Sequence, residues 1–373
     1  MSLVELSLSR ADVARFLEVP YAIYGDDPNW VAPLLDDLKK VFTKANPLFE
    51  HAEMKLWVAV RDGRDVGRIA GILDRSHNEF HREKTAFFGF FESIDDADVA
   101  REMFGKVEAW AREKGMNRIL GPMNPTTNDE CGLLVEGFDS PPVLMMTYNP
   151  RFYLRLFDEC GLTKAKDLLA YRIDIDPKPL ERLDRLARGF SRREKDLKIR
   201  PIRKKTLTAD LTKVKEVYNA AWEDNWGFVP MTDGDIDFMA GRLKPLLEED
   251  IVLLAETPAE PVAFMMSLPD YNEAMKPLKG RLLTPKIFGF LAYLLGWKKP
   301  KMTRLITLGI KKGYRNRGID AVMFAESLKA MLKAGYESCE ISWILEDNVM
   351  VQRPIDLFDG KVYKRYRIYE KGV

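Results

Sequence analysis

The chain has 373 residues, 46% apolar and 31% charged, which is enough for two domains with sizeable cores. Its 58 basic and 57 acidic residues nearly cancel, leaving +1, so a broad nucleic-acid-binding surface is excluded. Cys131, Cys160 and Cys339 are too far apart for a disulfide framework or a CxxC pair and fit a reducing cytoplasm; Glu5 interrupts any signal-peptide core, and no apolar run reaches the roughly 20 residues that span a bilayer.

In chain order, VELSLS (4–9) reads as a strand and 11–24 and 33–44 as helices. KLWVAV (55–60) and DVGRIAGILD (65–74) form a hairpin across Asp62-Gly63-Arg64, and TAFFGFFES (85–93) is a third β-rich run. Apolar residues at helical spacing predict a helix over 97–115 with a glycine stop, then a strand at 117–121, a helix at 149–161 and a strand at 168–175. The proline- and charge-rich stretch 176–198 reads as a partly helical joint. The order then repeats: a strand at 199–204, helices at 209–222 and 233–247, a hairpin of 251–257 and 261–268, a strand at 302–310, a helix at 319–334, and strands at 337–345 and 361–371 around a short helix at 350–358. Two similar passes predict an internal duplication: domains 1–176 and 199–373 joined by the linker 177–198.

The most informative segment is KKGYRNRGID (311–320), which follows the apolar strand MTRLITLGI and precedes the helix. A strand, a short basic glycine loop and a helix present backbone N–H groups to a phosphate. Lys311, Lys312, Arg315 and Arg317 add positive charge there, opposed only by Asp320.

Strand, R-x-x-G-x-(G/A) loop, helix, strand, Asn, helix resembles the GNAT superfamily of acyl-CoA N-acyltransferases. The motif here is Arg315-Asn316-Arg317-Gly318-Ile319-Asp320, with Asn348 downstream. GPMNPTTNDECGLLVEGF (121–138) and WEDNWGFVP (222–230) resemble a bacterial tandem-GNAT branch, and the resemblance covers nearly the whole chain. It implies an α/β (α+β) fold of two GNAT-like domains, each a mixed, mostly antiparallel sheet flanked by helices. It implies acetyl-CoA or a longer acyl-CoA as co-substrate and an amine as acceptor. The amides from Gly313 to Ile319 would hold the pyrophosphate, Leu308, Gly309 and Ile310 would pair with the pantetheine arm, and Asn348 would contact it.

Two departures matter. Asp320 stands where the family has a small residue, and a carboxylate at a helix start competes with a phosphate for the same amides. Asp356 stands where a Tyr often precedes the late glycine, with Tyr363 and Tyr366 off register. A non-catalytic scaffold with a vestigial loop therefore stays open as an alternative. So does a Fem-like aminoacyl transferase, although the Arg315–Gly318 segment counts against it. In the first half Glu92, Asp95, Asp96 and Asp98 replace the basic loop, so that half is not expected to hold CoA.

Asn124, Thr126 and Asn128 suit recognition of a polar acceptor, or a turn that satisfies its own backbone. Trp222 and Trp226 border the acceptor region by resemblance or pack as core. Glu223, Asp224 and Asp270 are candidate bases, with Glu346 and solvent as further choices; the strand 302–310 carries no acid. Residues 276–301 hold seven basic side chains and no acidic one around the apolar run IFGFLAYLLGW. That pattern suits peripheral contact with an anionic membrane, a lid over a fatty acyl chain, or a buried insertion helix. The acceptor would then be a small-molecule or lipid amine. His77 and His81 read as a surface or loop pair, and no metal site is expected.

Overall fold

The structure, a computed structural model, describes residues 1–25 and 27–373, with the side chains of Ser191 and Arg353 outside the description. The chain forms two compact units. One comprises Met1–Leu168, Met275–Thr284 and Lys364–Val373; the other comprises Leu169–Ala274 and Pro285–Tyr363.

The first pass contains β1 (Ser2–Leu6), α1 (Arg10–Tyr24), α2 (Leu35–Val41), α3 (Leu48–His51), β2 (Ala52–Arg61), β3 (Arg64–Asp74), α4 (Arg75–His81) and β4 (Thr85–Ser93). It continues with α5 (Ala97–Glu113), β5 (Arg118–Gly121), β6 (Met123–Asn124), β7 (Glu130–Cys131), β8 (Leu133–Glu136), α6 (Tyr153–Glu159) and β9 (Thr163–Asp174). Strands β1 to β4 are joined antiparallel in sequence order. The predicted hairpin turn holds Asp62 and Gly63 at φ 51° and 73°, the twist that a two-residue connection requires. Helix α5 buries Val99, Met103, Phe104, Val107 and Trp110 in a core with Trp57, Phe88, Phe91 and Phe157. Full burial of such side chains contributes about 1.5–3 kcal/mol each.

The second pass contains α7 (Leu180–Arg193), β10 (Lys198–Pro201), α8 (Leu207–Ala221), α9 (Asp233–Leu243), β11 (Val252–Glu256), β12 (Pro261–Pro269), α10 (Asn272–Met275) and α11 (Ile287–Leu294). It ends with β13 (Met302–Ile310), α12 (Ile319–Ala334), β14 (Ser338–Leu345), α13 (Val349–Asp356) and β15 (Lys361–Gly372). Strands β10 to β13 are antiparallel in order, and β14 lies parallel beside β13. Within the stretch read as a joint, α7 forms a helix whose Leu183 and Phe190 enter the core of this unit.

Two local expectations are corrected. His77 is not a surface residue: it lies in α4 with 4% of its side chain exposed, its ring 4.8 Å from that of Phe87. Burial pushes its pKa down from 6.5 to about 4, reinforced by His81. The apolar centre of 276–301 is not a buried helix: of α11, only Phe290 is buried. Among the described residues no helix is long and apolar enough to cross a membrane.

Candidate functional site

Both units contain the same construction, a bulged strand followed by a parallel partner. In the first, β4 pairs with β5 from Thr85↔Arg118 to Phe87↔Leu120. In the second, β13 pairs with β14 from Met302↔Ser338 to Leu305↔Ile341. The antiparallel neighbours shift register between Arg68 and Ala70 in one case and between Met266 and Ser267 in the other. Beyond Leu305 the parallel ladder stops, although β13 runs on to Ile310 and β14 to Leu345.

Backbone that loses a partner inside a sheet must find another. The first unit supplies it from its own chain. The Phe90 amide donates to Asn124 Oδ1 at 2.6 Å, and the Met123 carbonyl presses on Gly89, where a Cβ would fall 1.7 Å from that oxygen. All of β4 except Glu92 is buried. In the second unit Ile306, Thr307, Leu308 and Ile310 are partly exposed in mid-sheet. The backbone on the β14 side of this stretch can pair with an extended ligand.

The following helices differ in the same sense. Helix α5 is closed by Asp96, whose side chain accepts from the Asp98 and Val99 amides at 2.9 and 3.2 Å. Helix α12 starts at Gly318, φ 90°, with no side-chain cap. First-turn amides without a side-chain cap are a geometry that suits an anion. Asp320 is half-buried in that turn and does not cap the helix. The four acidic residues of the first half do not act as one group: the half-buried Glu92 lies beside Arg68 and Tyr153, and Asp95 pairs with Arg155.

The basic loop is already engaged. Lys311 Nζ lies 2.6 Å from both Glu216 and Glu260. Burial opposes its charge, but these two carboxylates raise its pKa above the ordinary value. Lys312 pairs with Asp224 at 2.8 Å and with Glu223, and its pKa is raised by both. Arg315 donates to the carbonyls of Ala221 and Ile310 at 2.7 and 3.2 Å. Arg317 lies 3.5 Å from Glu194, its guanidinium over the Tyr314 ring. These contacts pin the loop; an arriving phosphate would share the cations.

The other candidates are placed as follows. Gly309 is a close-approach position, since a Cβ there would fall 2.2 Å from the Trp222 ring. Trp222 packs beneath β13 with Tyr218 and Phe264, and Trp226 is half-buried. Glu223 and Asp224 clamp Lys312 at the surface. Asp270 accepts from the Asn272 amide at 3.1 Å. Asn348 caps α13 through the Val351 amide, and the Glu346 carbonyl accepts from Gln352. In the first unit Thr126 bonds Asp129 and the Asn128 amide, so this loop satisfies much of its own backbone. Among the described residues no group of three or more His, Cys, Asp or Glu is arranged for a metal ion.

Sequence reasoning missed a buried polar network beside the point where the ladder ends. Arg304 Nε donates to Ser342 Oγ at 2.9 Å, Ser342 Oγ donates to Glu340 Oε1 at 2.5 Å, and Tyr363 donates to Glu340 Oε2. The available signal was one Arg and one Glu, each inside an otherwise uncharged β-rich run.

No family model matches the chain. It is 33% identical over 378 residues to protein YghO of Escherichia coli K12, covering 100% of this chain and 95% of that protein. It is 35% identical over 372 residues to the bacterial ceramide synthase of Caulobacter vibrioides, covering 97% of this chain and 95% of that protein. Among solved structures, a tandem GNAT protein from the clavulanic acid biosynthesis pathway aligns with TM-score 0.58 at 12% identity over 100% of this chain and 98% of that one. A GCN5-related N-acetyltransferase from Sphaerobacter thermophilus aligns with TM-score 0.50 at 12% identity over 99% and 95%. The expected mixed, mostly antiparallel fold is thus the observed one, shared with tandem GNAT structures, and the chain belongs to the family that contains protein YghO and the bacterial ceramide synthase.

Proposed function

We propose that this protein is an N-acyltransferase that moves an acyl group from acyl-CoA to an amine, with the second unit holding the CoA thioester. The observation that carries the reading is the difference between the units. The strand opening is filled by Asn124 in one and left partly exposed from Ile306 to Ile310 in the other. The uncapped start of α12 at Gly318 follows directly, where a pyrophosphate would sit. The pantetheine arm would pair with Leu308–Ile310, and Asn348 would contact it.

The neutral amine nitrogen attacks the thioester carbonyl, the C–N bond forms and the C–S bond breaks. The nitrogen loses one proton and the departing thiolate gains one, giving an amide and free CoA. Glu223, Asp224 and Asp270 are the carboxylates proposed to take that proton, with Glu346 or solvent as the alternatives. The reaction is proposed to be lipid-related, a long-chain N-acylation of a sphingoid amine or of an amino acid. This is supported by the 35% identity to the protein named bacterial ceramide synthase.

A second reading, ligand binding without catalysis, is favoured by one observation: Lys311, Lys312, Arg315 and Arg317 all have partners within the protein. Calorimetry with CoA, acetyl-CoA and palmitoyl-CoA, followed by release of free thiol with sphingoid and short amines, separates the two. Binding weakened by Arg317→Ala together with amine-dependent thiol release supports the transferase. Binding without thiol release supports the second reading, and no heat with any thioester removes both.

A further inference from the structure

We propose that the exposed apolar face of α11 and the turn after it dock on an anionic membrane surface. Phe288 is 75% exposed and Trp297 79%, with Leu295 at 59% and Leu291 and Leu294 at 38% each. A soluble chain rarely presents so many large apolar side chains side by side along one short segment. Tyr293 donates to Glu273 at 2.9 Å and Phe290 is buried, so the helix is anchored while its outer face stays bare.

Charge decides among the occupants. Lys286 precedes the helix, and Lys298 and Lys299 follow Trp297; all three are exposed and in no ion pair among the described residues. Lys301 pairs with Glu337 at 2.9 Å, and no acidic residue occurs from 276 to 301. A second copy would set these lysines against their own counterparts. An anionic bilayer accepts both components: phenylalanine and leucine enter the headgroup–acyl boundary, tryptophan sits at the interface, and lysines meet lipid phosphates. Each lysine near such a surface adds about fivefold to partitioning, about 100-fold for three.

The inference deepens the lipid reading by stating where a lipid amine is met, but its test reads partitioning rather than acyl transfer, so either can fail alone. The purified full chain is floated with vesicles of phosphatidylcholine, with and without phosphatidylglycerol. The expected result is partitioning to the anionic vesicles that weakens with salt. It should fall about 100-fold in a Lys286→Gln, Lys298→Gln, Lys299→Gln variant and also fall in Phe288→Ser, Trp297→Ser. Unfolding curves serve as the control, since all five side chains are exposed. No partitioning of the wild-type protein, or equal partitioning by the variants, overturns the proposal. A dimer in sedimentation that Phe288→Ser, Trp297→Ser dissociates, with no vesicle binding, overturns it in favour of a second copy.

Discussion

Arg304 and Glu340 are register partners on the parallel strands β13 and β14, with Nε and Oε1 3.8 Å apart and side chains 2% and 0% exposed. The pair lies one position before the ladder ends. Two charges in the interior are tolerated only while each keeps the other and its hydrogen bonds. Removing one partner, as in Arg304→Met, should cost about 3–5 kcal/mol, whereas Arg304→Met with Glu340→Met should cost clearly less than the sum of the two single changes. Urea unfolding of the four proteins measures the coupling; additive losses would show that the two charges do not interact.

Tyr363 donates its phenol proton to the same carboxylate. Tyr363→Phe should lower stability by about 1.5–3 kcal/mol, the size of a hydrogen bond to a charged group. A loss within error in the same urea assay would mean that Glu340 is satisfied without it.

Gly309 leaves room for the Trp222 ring. Gly309→Ala should destabilise by about 1–3 kcal/mol through overpacking. Trp222→Leu should remove most of that added penalty. If the alanine costs the same in both backgrounds, the glycine serves the strand backbone rather than the tryptophan.

Asp320 sits in the first turn of α12, where its charge favours the helix and opposes an incoming phosphate. Asp320→Asn should tighten CoA binding about two- to fivefold, in line with the 0.3–1 kcal/mol of a charge at a helix terminus, and weaken the protein slightly. Calorimetry reads the first effect and thermal unfolding the second; unchanged or weaker affinity would contradict competition between carboxylate and phosphate.

Burial holds His77 neutral, with its pKa lowered from 6.5 to about 4. The unfolded chain therefore binds a proton that the folded protein refuses. This contribution is complete above pH 6.5 and is lost progressively as the pH falls toward 4, up to about 3 kcal/mol. His77→Phe should flatten the pH dependence of unfolding free energy over that window. An unchanged slope would assign the dependence to other groups.

Much of the architecture was legible because it is local. The β-rich runs 55–60 and 65–74, the turn at Asp62-Gly63 and the helical spacing of 97–115 each appear close to their predicted place as β2, β3 and α5. The helix predicted at 319–334 is α12 to the residue, since Gly318 and Gly335 punctuate it. Burial was less legible. Nothing in the spacing of His77 and His81 says that one ring lies under Phe87, and the bare face of α11 is a property of what does not cover it.

The amino-acid order by itself determined the duplicated succession of elements, the tandem-GNAT resemblance and the basic glycine loop, because periodicity and turn chemistry act over a few neighbouring residues. Only the tertiary structure decided which of the two strand openings is filled. Asn124 reaches the Phe90 amide, and Arg304 meets Glu340, through backbone pairing that brings distant segments together. Whether a polar group inside a sheet is satisfied, shared or open depends on those long-range neighbours, and local pattern carries no record of them.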